Sequence, residues 1–133
     1  MNNNQIVSKM NTYIHMSSES LSGWLGKMLP KTSSDWWEEC VLDNLSYNQR
    51  EIALNKSFSK LDDFDLAALL RIADKSWFAM RNIAYLPNGE RDCIRDMMRV
   101  RNNWAHVGAT LPGKDAILAD LTTIQQFLGQ LGR

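Results

Sequence analysis

KLDDFDLAALLRIADKSWFAMRN, residues 60–82, decides the fold. Leu66, Leu69, Leu70, Ala73, Trp77 and Met80 recur at three- and four-residue intervals, which places them on one face of an α-helix. Strands would need alternation with a period of two, and none is present. The acidic start suits the positive end of the helix dipole, and Asp62 or Asp63 can cap the first turn.

The same period continues on both sides. Upstream, Ser46 followed by Gln49 reads as a capping box for a short helix. Before it, Ser34-Asp35 offers N-cap chemistry to a helix carrying Trp36, Trp37, Cys40 and Val41, with a break near Asn44. Ile6, Met10, Tyr13, Ile14, Leu21, Trp24, Leu25 and Met28 form one long stripe, interrupted only by Ser17 and closed by Pro30. Downstream, a helix is expected from Asn88 to Val107, ended by Gly108. A last helix from Asp115 carries Ile117, Leu118, Leu121, Ile124, Phe127, Leu128 and Leu131. Pro30, Pro87 and Pro112 all fall between periodic segments. The expectation is an all-α, up-and-down bundle of five to six helices in one domain, residues 1–133, with a long N-terminal helix over 1–29.

Composition narrows the function. With 44% apolar residues and five tryptophans, the chain has surface to bury and is not a disordered tail. Its 15 basic and 15 acidic side chains cancel, so nucleic acid would have to be met by a local patch rather than by bulk charge. Cys40 and Cys93 are too few for a disulfide framework and have no ligand spacing around them, so two buried, reduced thiols and no metal or other cofactor are expected. MNNNQIVSKM lacks the features of a signal peptide. No run approaches the roughly 18 to 20 apolar residues of a spanning helix. A cytoplasmic protein without membrane association follows as the expectation. Phosphate-binding glycine loops, nucleophile elbows and HExxH are absent. The Trp36-Trp37 pair could stack bases, but in a domain of this size it reads more simply as core. His15 lies on the polar flank of the first helix with no partner nearby and reads as surface.

Chemistry concentrates on the helix from Asn88. Successive residues turn by about 100°, which puts Cys93, Ile94, Met97, Met98, Val100, Trp104 and Ala105 on an apolar arc. Opposite runs a polar stripe, Arg91, Arg95, Arg99, Asn102 and His106, whose arginines are the candidate nucleic-acid contacts. Asp92 and Asp96 are interleaved with them and can take up part of their charge. Arg101 breaks the pattern by falling in the middle of the apolar arc. A guanidinium there either pairs with a carboxylate such as Asp62 or Asp65, or is held to grip a phosphate. His106 reads either as a surface residue at a helix end or as an acid–base group in the last turn, with Asn102 one turn back to orient it.

The string Arg101-Asn102-Asn103-Trp104-Ala105-His106 resembles the signature of HEPN domains: arginine, a polar residue, three variable positions and histidine. Leu61 to Trp77, followed by RVRNNWAH, is similar to a subfamily that accompanies a larger nuclease, helicase or ATPase. The similarity runs from about Trp36 to Leu131, within residues 34–131 as the best-matching region. It implies a dimerising helical bundle, and for many members a metal-independent endoribonuclease of antiviral or toxin–antitoxin systems. Carried onto this chain, Arg101 would hold the scissile phosphate, His106 would move protons and Asn102 would fill the polar position. The implied partners are an RNA substrate, a second copy of the chain, and a larger enzyme or an antitoxin. The alternative is a non-catalytic, dimerising interaction module of a larger helicase, ATPase or nuclease system.

Residues five apart on a helix diverge by roughly 140°, so Arg101 and His106 of one chain cannot readily share a face. Two copies around a two-fold axis could bring both pairs into one cleft.

Overall fold

Residue 66 onward forms the centre around which the other helices are laid. The computed structural model describes residues 2–108 and 110–132; Met1, Ala109 and Arg133, and with them both ends of the expected 1–133 domain, lie outside the described residues. The helices are α1 (Asn3–Met28), α2 (Tyr47–Asn55), α3 (Leu66–Lys75), α4 (Trp77–Arg81), α5 (Asn88–Ala105) and α6 (Lys114–Leu131). Short 3-10 turns occupy Leu29–Lys31, Leu42–Asn44 and Leu61–Asp63. Among the described residues there is no strand, and no helix is long and apolar enough to cross a membrane.

α3 packs against α1 and α5, and α6 closes over both of these. Because neighbours surround it, α3 buries Ala68 and Ile72 as well as the stripe of Leu66, Leu69, Leu70 and Ala73. Met10, Leu21 and Leu25 of α1, Trp77 and Met80 of α4, Ile94, Met97 and Val100 of α5, and Ile124 and Phe127 of α6 complete the core. Ser17, the interruption in the α1 stripe, is fully buried and donates its hydroxyl to the Tyr13 carbonyl at 2.9 Å, so it is satisfied within its own helix.

Three expected boundaries are corrected. The helix expected from Lys60 starts at Leu66, and its N-cap is Asp65, whose Oδ1 accepts from the Ala68 amide at 2.9 Å. Asp63 instead accepts the Ser59 and Lys60 amides of the preceding turn, and Asp62 accepts the Ser22 hydroxyl of α1. The segment after Ser34-Asp35 is a single π-helical turn, Trp37–Val41, rather than an α-helix. Its wide turn presents Trp36 and Trp37 edge-on to each other, and Trp37 reaches Phe64 at 5.9 Å. Both tryptophans are half-buried against the core, as expected of packing residues. α5 ends at Ala105, two residues before the expected Val107.

The capping box at Ser46 and Gln49 forms as read, with both reciprocal bonds made at 3.2 and 3.0 Å. Less visible in the sequence is the end of α2. Ser57 has φ of 55°, Phe58 N–H donates to the Ala53 carbonyl, and Ser57 N–H to the Leu54 carbonyl. That is the paired closure of a Schellman motif with serine in the position glycine prefers. The left-handed conformation costs a non-glycine residue roughly 1–2 kcal/mol, of which glycine's extra chain entropy returns ~0.5–1. Ser57→Gly is therefore expected to raise stability by about 0.5–1 kcal/mol in urea unfolding; a loss would mean the serine hydroxyl has a stabilising role of its own.

Both cysteines are free and buried, and burial pushes the Cys93 thiol above its usual pKa, with Asp96 and Glu90 adding to the effect.

Candidate functional site

α5 carries the site because its two faces do different work. Cys93, Ile94, Met97, Val100 and Trp104 are buried and fix the helix against α3 and α6. At its C-terminal end the Trp104 indole N–H donates to Asp120 Oδ2 of α6 at 2.8 Å, with both residues buried. At the other end Gln130 Nε2 of α6 donates to the Glu90 carbonyl at 3.1 Å. These contacts, 14 residues apart on α5 and 10 on α6, run in opposite order, so the two helices are antiparallel and pinned at both ends.

His106 is the first residue beyond α5, exposed, with φ −112° and ψ 15°. It lines an open cleft of about 590 Å³ together with Arg99, Asn103 and Asp120, and with Val107, Gly108, Leu111 and Pro112.

Asn102 does not orient His106 as expected. Its Oδ1 accepts from Arg101 Nη1 at 3.3 Å, while Asn103 is the amide that shares the cleft. Positions three and four before His106 are both neighbours of it on a helix surface, so spacing alone could not choose between them.

Arg101 is half-buried rather than set in the middle of a covered apolar arc. The reason is that α3 and α6 cover only part of that arc. Met98 and Arg101 remain half-buried and Ala105, also of the apolar arc, is exposed; these three lie at i, i+3 and i+7 along one partly covered flank. Pairing with Asp62 or Asp65 does not occur, because one holds the Ser22 hydroxyl and the other caps α3. Among the described residues Arg101 makes no ion pair. Arg101 is absent from the lining of the His106 cleft. Within one chain the two residues thus face different surfaces, in keeping with their angular separation.

The stripe arginines are partly neutralised, Arg99 by Asp96 as expected and the other two by a carboxylate of α3. Arg91 and Arg95 both reach Asp74 Oδ1 of α3 at 3.1 Å, and neither bonds to Asp92. Arg91 is the more buried, donates also to the Asp74 carbonyl at 3.3 Å, and lies 5.0 Å over the Phe78 ring. Arg99 pairs with Asp96 at 3.1 Å, an exposed contact of small energetic weight. Arg95 and Arg99 remain 54% and 60% exposed.

Elsewhere, His15 has a partner after all: its Nε2 lies 2.8 Å from Glu19 Oε1, an exposed i, i+4 pair. A cavity of about 310 Å³ between α1 and α6 is lined mainly by apolar side chains, among them Met10, Tyr13, Met16, Ile117 and Leu121, and contains none of the α5 set. No cluster of three or more His, Cys, Asp or Glu side chains stands close enough to hold a metal ion among the described residues.

A family model described as Swt1-like HEPN matches residues 13–132, beginning inside α1 and so earlier than the resemblance read from Trp36. No curated protein and no solved structure matches the chain.

Proposed function

From the chain's membership of the Swt1-like HEPN family, we propose that it is an endoribonuclease that cleaves RNA without a metal. The observation that carries this reading is the end of α5: an exposed imidazole in an open cleft with Arg99 and Asn103, and one flank away a guanidinium that no carboxylate among the described residues neutralises. The step needs only these groups. A base removes the proton of a ribose 2′-hydroxyl, the 2′-oxygen attacks the adjacent phosphorus, and the P–O5′ bond breaks as an acid protonates the leaving oxygen. The products are a 2′,3′-cyclic phosphate and a 5′-hydroxyl. His106 supplies proton transfer and Arg101 meets the charge on the phosphate.

Because Arg101 and His106 face apart in one chain, the working site is completed by a second copy. The partly covered flank of Met98, Arg101 and Ala105 is the surface such a copy would meet. Antiviral defence or a toxin–antitoxin pair is the setting that suits a small RNA-cutting bundle of this family.

A second reading, a dimerising module that recruits a larger helicase, ATPase or nuclease, is favoured by one fact: Asp74 and Asp96 already engage three of the four α5 arginines. Incubation with mixed RNAs in EDTA separates the two. The nuclease reading expects cyclic-phosphate ends, lost when the nucleotide 5′ of the cut is 2′-deoxy. Intact RNA from a folded dimer would leave the module reading in its place.

A further inference from the structure

The surface at the start of α5 is built unlike the rest. Phe78 of α4 is 59% exposed although large and apolar, and Tyr85 in the α4–α5 connection is 89% exposed. The Arg91 guanidinium lies over the Phe78 ring at 5.0 Å. Arg81, three residues along α4 from Phe78, lines a surface notch with Tyr85, Leu86 and Pro87 and makes no ion pair among the described residues. From Arg91 the polar stripe continues through Arg95, Arg99 and Asn102 to His106.

Both rings turn more than half of their surface to solvent. Three guanidinium groups gather in the same place: Arg91 and Arg95 share the one carboxylate of Asp74, and Arg81 stands beside Tyr85 in the notch. Exposed rings beside guanidinium groups are what a single strand of nucleic acid requires. The bases stack on the rings and the phosphates follow the charge, whatever the base sequence. A duplex keeps its bases stacked on each other and cannot use the rings.

We infer that Phe78 and Tyr85 form a base-stacking platform for single-stranded RNA, from which the strand runs along the α5 stripe to the His106 cleft. Arg91 to His106 spans 15 residues, a rise of ~22 Å. That length holds about four nucleotides, the low end for single-strand grooves. The platform would therefore select unpaired RNA and set the distance from its anchor to the cut. This inference rests on the ribonuclease reading for what happens at His106 but is tested by binding alone.

The test uses the full chain with His106→Ala, so that RNA stays intact, and a fluorescently labelled oligouridine of 12 nucleotides beside a matched RNA duplex. Phe78→Ala and Tyr85→Ala, both at exposed positions where the fold is insensitive, are each expected to weaken oligouridine binding roughly 5- to 150-fold. Duplex binding should stay unchanged, and Phe78→Trp should restore the affinity. Equal affinity of the alanine variants and the parent overturns the platform while leaving any cleavage by the wild type untouched. Absence of oligouridine binding, with Phe78→Ala instead altering the sedimentation of the protein with itself, overturns it in favour of a protein interface. Weakened binding in a chain that never cuts RNA supports the platform and defeats only the nuclease reading.

Discussion

Trp104→Ala is expected to lower the stability of the fold by about 3–5 kcal/mol, the range for removing a large buried aromatic. Trp104 is 6% exposed and packs between α5 and α6, and its indole N–H is the donor to Asp120. Two effects add in the alanine variant: the cavity, and a buried carboxylate deprived of its partner. Trp104→Phe separates them. It keeps most of the volume and deletes the N–H, leaving Asp120 unsatisfied at a cost of about 1–3 kcal/mol. Combining it with Asp120→Leu removes both polar partners and should recover most of that loss. Urea unfolding at unchanged slope measures all three. A cost of only a few tenths of a kcal/mol for Trp104→Phe would show that the hydrogen bond does not pin α6 to α5. Asp120 also lines the His106 cleft, so Trp104→Phe should disturb that wall before it unfolds the protein.

The bundle was legible because its signals are local and repeated. The α1 stripe, the Ser46–Gln49 box and the prolines each declare an element from residues within a few positions of one another. What the sequence concealed were choices settled by neighbours distant in the chain. Asp62, Asp63 and Asp65 are three plausible caps within four residues. Which one caps α3 depends on Ser22 of α1 claiming Asp62 and on the turn before it claiming Asp63. The π-helical turn at Trp37–Val41 likewise sets Trp37 beside Phe64, a contact no periodicity announces.

The site divides in the same way. The helix wheel separated Arg101 from His106 correctly because angular spacing is intrinsic to the helix. It placed Arg101 and Ala105 too deep because a wheel shows which residues are apolar neighbours, not how much of the arc a partner helix covers. The Asp74 clamp on Arg91 and Arg95 comes from α3, and the Asp120 partner of Trp104 from α6. Both are long-range pairings. Phe78 was read as part of a helix and given no role, since exposure cannot be told from a residue's type.

His106→Ala is expected to slow RNA cleavage in EDTA by roughly 10²–10⁴-fold, the usual contribution of a positioned acid–base group. Its melting temperature should stay unchanged, because the side chain is exposed beyond the end of α5. Arg101→Ala should match that loss, and Arg101→Lys should recover only part of it, because an ammonium keeps the charge but not the two-pronged geometry that fits a phosphate. Arg99→Ala is the informative comparison. Arg99 shares the cleft with His106 in a single chain, whereas Arg101 does not line it. On the proposed reading Arg99 serves as an auxiliary phosphate contact, so its loss should weaken RNA binding and spare the single-turnover rate at saturating protein. The opposite result, an inert Arg99→Ala beside a fully active Arg101→Ala in a monomeric protein, would move the phosphate grip to Arg99. The site would then be complete within one chain, and the partly covered flank of α5 would have no part in catalysis.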